Sequence, residues 1–111
     1  MNIIEEKTKK FKKLMTKEQL LFMKHQPDPF SKYKTITRDF YGGIQKEYKF
    51  DNGYGASVVC HFGSYGGDIG LWELAVTLYG ILCYDTSITN DVMGHLSTEE
   101  VNKNLKAIKE L

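Results

Sequence analysis

The chain has 111 residues, enough for one domain with a single core and too few for a second. Fifteen basic and fourteen acidic side chains leave a formal charge of +1, which excludes a uniformly basic or uniformly acidic protein. Hydrophobic residues at 41%, aromatics at 13% and only two prolines exclude a disordered chain, because this much apolar surface offsets the entropy of ordering.

Helix-forming residues dominate 3–25, with Ile3, Ile4, Phe11, Leu14, Met15, Leu20, Leu21, Phe22 and Met23 set among lysines. Thr16-Lys17-Glu18-Gln19 fits a capping box, so the pattern predicts two helices, 3–14 and 17–25, or one with a kink. Pro27-Asp28-Pro29 ends helical structure and leaves 26–35 as a connecting loop, since neither proline has an N–H and each pushes its predecessor out of the α region. The period then becomes two. Ile44, Lys46, Tyr48 and Phe50 alternate with Gln45, Glu47 and Lys49, and Asp51-Asn52-Gly53 supplies positive-φ residues for a tight hairpin. The returning strand over 54–62 places Tyr54, Ala56, Val58, Cys60 and Phe62 on one face. The Gly-rich stretch 63–70 reads as a mobile connection and an adaptable interaction element around Tyr65. It leads into a nearly continuous apolar strand, 71–78, expected to be covered on both faces. Tyr79-Gly80 turns that strand back into 81–84.

Ser97 and Glu100 form a second capping box, with Leu96 and Val101 placed as a hydrophobic staple. Glu99 and Glu100 suit the positive end of the helix dipole, and Lys103, Lys106 and Lys109 its negative end. A helix from 98 to about 110 follows, with Val101, Leu105, Ile108 and Leu111 toward the sheet. The expected fold is α+β: N-terminal helices, an antiparallel sheet of three to four strands, and a C-terminal helix packed on the sheet. Within that single domain, residues 1–26 read as a lysine-rich helical extension and 36–111 as the α+β core.

The small net charge hides a segregation. Residues 1–49 hold twelve basic and six acidic side chains, whereas 50–111 hold three and eight. No lysine or arginine occurs between Phe50 and Asn102. The sheet region therefore reads as acidic and the N-terminal helices as basic. Asp51, Tyr65, Asp68, Asp85 and Asp91 are the candidates for an acidic docking face, whose natural target is a basic nucleic-acid-binding groove. Lys9, Lys10, Lys12, Lys13 and Lys17 would carry contacts from the other surface. Lysines are point charges without the planar fork that reads bases, so sequence-specific DNA reading is not expected.

Catalytic and metal motifs are sparse. His25, His61 and His95 have no partner at helical metal-ligand spacing, and no metal or other cofactor is expected. Cys60 and His61 are neighbours on a strand and so point to opposite faces, which excludes a nucleophilic pair. Asp68, Glu73, Asp85 and Asp91 define a third alternative, a metal-dependent hydrolase, without matching a nuclease spacing. The glycines of 63–70 lack both G-x-G-x-x-G and a Walker lysine. Two cysteines, no apolar stretch long enough to span a bilayer and an opening Met-Asn-Ile-Ile-Glu-Glu without signal-peptide character predict a reducing, cytosolic setting with no membrane contact.

The run Asn52-Gly53-Tyr54-Gly55-Ala56-Ser57-Val58-Val59, followed by Ser64-Tyr65-Gly66-Gly67, Gly70-Leu71-Trp72-Glu73-Leu74-Ala75-Val76 and Leu82-Cys83-Tyr84-Asp85-Thr86-Ser87-Ile88-Thr89-Asn90-Asp91-Val92, with Gly94 and Leu96, resembles small proteins encoded by bacteriophages and prophages. The likeness covers residues 50–111. It implies a bacterial host cytoplasm as the setting, and small phage proteins without catalytic motifs are often inhibitors of host enzymes, the anti-CRISPR proteins among them. The function expected on this basis is a non-catalytic inhibitor that binds a host protein or ribonucleoprotein complex, a CRISPR effector above all. The alternative is a small nucleic-acid-binding accessory protein acting through the lysine-rich N-terminal helix.

Overall fold

The structure, a computed structural model, describes residues 16–111; the helix expected over 3–14 lies outside the described residues. Helix α1 (Lys17–Lys24) begins at the expected capping box. Thr16 Oγ1 accepts from the Gln19 N–H at 3.1 Å, and Gln19 Oε1 accepts from the Thr16 N–H at 2.7 Å. After a short 3-10 turn at Ser31–Tyr33, the chain forms β1 (Lys34–Phe40), β2 (Gly43–Lys49), β3 (Tyr54–Cys60), β4 (Trp72–Leu78), β5 (Ile81–Leu82) and β6 (Met93–Leu96), then helix α2 (Thr98–Lys109). Ser97 and Glu100 cap α2 reciprocally, as its sequence requires.

The sheet is antiparallel and six-stranded, in the order β1-β2-β3-β4-β5, with β6 also paired to β4. It is thus larger than the three to four strands expected. The two unforeseen strands are β1, whose central residues face solvent, and β6, which is four residues long and contains Gly94. Neither has an apolar alternation to reveal it. The loop expected over 26–35 is accordingly shorter, because β1 begins at Lys34.

Register decides where the core sits. Ile44, Lys46 and Tyr48 stand opposite Cys60, Val58 and Ala56, and the latter two stand opposite Leu74 and Val76. This face is sealed by Val101, Leu105 and Ile108 of α2 and by Met23 of α1. Each such aliphatic side chain contributes about 1.5–3 kcal/mol by leaving water. Both described helices pack on this one face, so β4 is covered unevenly: on the other face Ala75 is buried while Glu73 and Thr77 stay half-exposed. Leu111 follows the helix and is exposed instead of facing the sheet. Phe62 likewise lies beyond β3 and is exposed.

The β2–β3 hairpin corrects a second expectation. Only Gly53 takes positive φ there, at 87°. Asn52 serves another purpose: its Nδ2 donates to the carbonyls of Ile108, Lys109 and Leu111 at 3.0, 3.1 and 3.2 Å. A side-chain amide thereby satisfies carbonyls that the end of α2 leaves without intrahelical donors. Positive φ at both residues of a two-residue turn occurs instead at Tyr41-Gly42 (49° and 75°) and Tyr79-Gly80 (50° and 82°).

Candidate docking surface

The connection from β3 to β4, residues 61–71, is held more firmly than a mobile loop. Ser64 Oγ donates to the His61 carbonyl at 2.8 Å and accepts from the His61 N–H at 2.9 Å. The Tyr65 N–H reaches Glu73 Oε2 at 3.2 Å, and the Tyr65 carbonyl accepts from the His95 N–H at 3.0 Å. Tyr65 lies over Gly94, where a Cβ would come within 2.3 Å of its own Cβ. A 3-10 turn, Gly67–Ile69, then directs Asp68 and Ile69 toward α1. Fixed hydrogen bonds thus give this connection two sides, one presenting Tyr65 and the other presenting Asp68 with Ile69.

Helix α1 is two-sided as well. Glu18, Gln19, Phe22 and Met23 share one flank at i, i+1, i+4 and i+5; together with Asp68, Ile69 and Gly70 they line a groove of about 540 Å³. Phe22 and Ile69 are 68% and 66% exposed, an unusual disposition for two large apolar side chains in one groove. The opposite flank, with Lys17, Leu20, Leu21 and Lys24, borders a second groove of about 320 Å³ against Asp39, Gly42 and Gly43. Lys24 Nζ bonds Asp39 Oδ1 there at 2.5 Å. No ion pair joins Glu18 or Asp68 to another described residue. One short helix therefore separates an acidic groove from a basic one.

The expected acidic face does not assemble as a unit. Asp51, Tyr65, Asp68, Asp85 and Asp91 are all exposed. Asp51, however, sits in the β2–β3 turn at one end of the strands, whereas Tyr65 and Asp68 lie past the opposite end of β3, roughly 20 Å away at about 3.3 Å per residue. Asp85 and Asp91 belong to the β5–β6 connection, where Asp91 Oδ1 accepts from the Val92 N–H at 2.7 Å. Of the five, the fold brings Asp68 alone into the acidic groove. Lys9, Lys10, Lys12 and Lys13 lie outside the described residues, and Lys17 borders the basic groove. The acidic character expected of the whole sheet belongs to β3–β6, since β1 and β2 carry Lys34, Arg38, Lys46 and Lys49. Glu18, Phe22 and Ile69 escape sequence reasoning because they meet only in three dimensions. The available signal was a lone aliphatic residue, Ile69, among glycines.

A buried polar cluster lies elsewhere, between β2, α2 and the Pro27 turn. Lys46 is 5% exposed, with its Nζ 5.0 Å from the Trp72 ring centroid. Burial lowers its pKa, against the opposing pull of Asp28. Asp28 accepts from the Tyr48 hydroxyl at 2.8 Å, and burial foremost, then this bond, raise the Tyr48 pKa. Trp72 Nε1 donates to Thr98 Oγ1 at 3.2 Å, and Thr98 Oγ1 donates to Gln26 Oε1. The associated cavity is about 10 Å³, room for one water and no substrate. The cluster is a structural joint between loop, sheet and helix. Cys60 is buried and burial pushes its thiol up to about 11, while His61 meets Phe40 edge-on at 5.1 Å and Tyr41 at a tilt at 5.6 Å between ring centroids. Among the described residues no three His, Cys, Asp or Glu side chains gather as metal ligands, so Asp68, Glu73, Asp85 and Asp91 are not assembled as a centre. No described helix is long and apolar enough to cross a membrane.

Comparison of the chain with protein-family models, with curated proteins and with solved structures finds no match.

Proposed function

We propose that the protein is a non-catalytic inhibitor, of the kind bacteriophages encode, that docks on a nucleic-acid-processing defence complex in the cytoplasm of a bacterial host, with a CRISPR effector as the target class. The observation that carries this reading is the groove in which Phe22 and Ile69 stand exposed beside Glu18 and Asp68. Apolar anchors rimmed by one sign of charge are the ingredients of a protein interface that must recognise an oppositely charged surface. Nucleic-acid-processing proteins offer such basic surfaces where they track phosphate. The likeness of residues 50–111 to phage-encoded proteins supplies the setting.

The test is plasmid or phage interference by CRISPR systems of several types, with and without this protein. Restored plasmid uptake or phage growth for at least one type is the expected result, and unchanged interference in every type overturns the target class. Titration with duplex DNA, single-stranded DNA and RNA separates the alternative. An inhibitor of proteins binds them weakly, whereas tight binding with a steep salt dependence would transfer the function to the lysine-rich N-terminal segment.

A further inference from the structure

We propose that the groove between α1 and the β3–β4 connection receives a lysine- or arginine-rich segment of the partner protein that carries one large aliphatic or aromatic side chain. This rests on the docking reading above and names the chemistry of the partner. The apolar part of the site is Phe22 on one wall and Ile69 on the other, with Met23 between them and the core. A side chain of leucine or phenylalanine size entering there shields both exposed surfaces from water at once, and an open groove of about 540 Å³ has room for it.

Charge selects what flanks that anchor. Glu18 stands on the helix wall and Asp68 on the loop wall, neither ion-paired with a described residue. The nearest lysines of α1, Lys17 and Lys24, border the groove on the opposite flank. The connection itself contains no lysine or arginine. Glu18 also lies in the first turn of α1, on the same flank as Phe22. An acidic or neutral segment would gain the apolar contact but meet like charge or none, whereas ammonium or guanidinium groups on either side of the anchor meet a carboxylate on each wall.

The experiment uses the full chain and three synthetic peptides: Lys-Lys-Lys-Leu-Lys-Lys-Lys, heptalysine, and Glu-Glu-Glu-Leu-Glu-Glu-Glu. Methyl NMR shifts of Ile69 and Met23 report on the groove. The lysine–leucine peptide should move both signals saturably, heptalysine should bind severalfold more weakly, and the glutamate peptide should leave them in place. Asp68→Lys should weaken the first peptide about tenfold while Asp51→Lys, at the far end of the sheet, does not. Equal binding of the glutamate peptide, unchanged affinity in Asp68→Lys, or shifts centred away from the groove would overturn the assignment. Failures of the two proposals are distinct. Inhibition of interference that survives Asp68→Lys removes the groove and keeps the docking function; peptide binding without inhibition of any type keeps the groove and removes the target class.

Discussion

Helices α1 and α2 begin with the same device, a hydroxyl N-cap answered by Gln19 or Glu100, yet they spend their side chains differently. Helix α2 runs twelve residues and buries Val101, Leu105 and Ile108. Helix α1 runs eight, buries Met23 and leaves Leu21 and Phe22 at 45% and 68% exposure. Equal capping with unequal burial indicates that α2 holds the fold while α1 holds a surface in place. Isolated helices as short as α1 are marginal in water, so its persistence depends on Met23, Leu20 and the Lys24–Asp39 pair.

The contrast is sharpest at Leu105. Replacing it by alanine should cost about 2–5 kcal/mol in urea unfolding, because the sheet cannot collapse into the space left under α2. A cost near that of a surface substitution would mean that α2 is not what seals the sheet. The next effect reads the same packed face through pH. With the folded Cys60 thiol at about 11 against an ordinary 9.0, the folded state retains a proton that the unfolded state releases, so stability should fall on raising pH from 9 to 11, by an amount on the order of 2–3 kcal/mol. Lys46 acts in the opposite sense: its lowered pKa means the unfolded chain binds the extra proton, so its contribution rises with pH up to about 10.5. Urea titrations of Cys60→Ala and Lys46→Met separate the slopes: the first removes the decline that begins near pH 9 and leaves the one that the raised Tyr48 hydroxyl starts near pH 10, and the second steepens the decline.

Smaller effects compare the helix ends. Ser97→Ala and Asn52→Ala, at opposite ends of α2, should each cost about 1 kcal/mol in global stability. Thr16→Ala should instead fray α1, detected as faster amide exchange over Lys17–Lys24 with little change in the urea midpoint. Smallest of all, Phe22→Ala should shift stability by no more than about 0.5 kcal/mol while abolishing peptide binding in the groove. A large stability loss there would show that Phe22 belongs to the core and that the two helices are alike after all.

Legibility in the sequence follows the same division. Helix α2 and the β2–β3 hairpin are readable because their residues satisfy local rules, a capping box in one case and period-two alternation in the other. Strand β1 is not, since an edge strand with solvent on most side chains carries no apolar rhythm, and its backbone is organised by pairing with β2. The role of Asn52 is equally hidden: a turn residue by local chemistry becomes a helix cap through partners more than fifty positions away. The groove joins Glu18 and Phe22 to Asp68 and Ile69 across a comparable separation, so charge counting along the chain finds Asp68 but not its companions. Segregated charge was visible; its boundary, which runs through the sheet between β2 and β3, depends on strand order.

The bonds from Asn52 to the end of α2 also bear on how the chain reaches its fold. During synthesis the β2–β3 hairpin emerges well before residues 98–111, so until these arrive Ile44, Val58 and Leu74 lack the cover of Val101, Leu105 and Ile108. Such long-range closure slows folding and leaves an apolar sheet face open to wrong partners in the interval. That interval ends when α2 closes over the sheet and Asn52 secures the end of that helix.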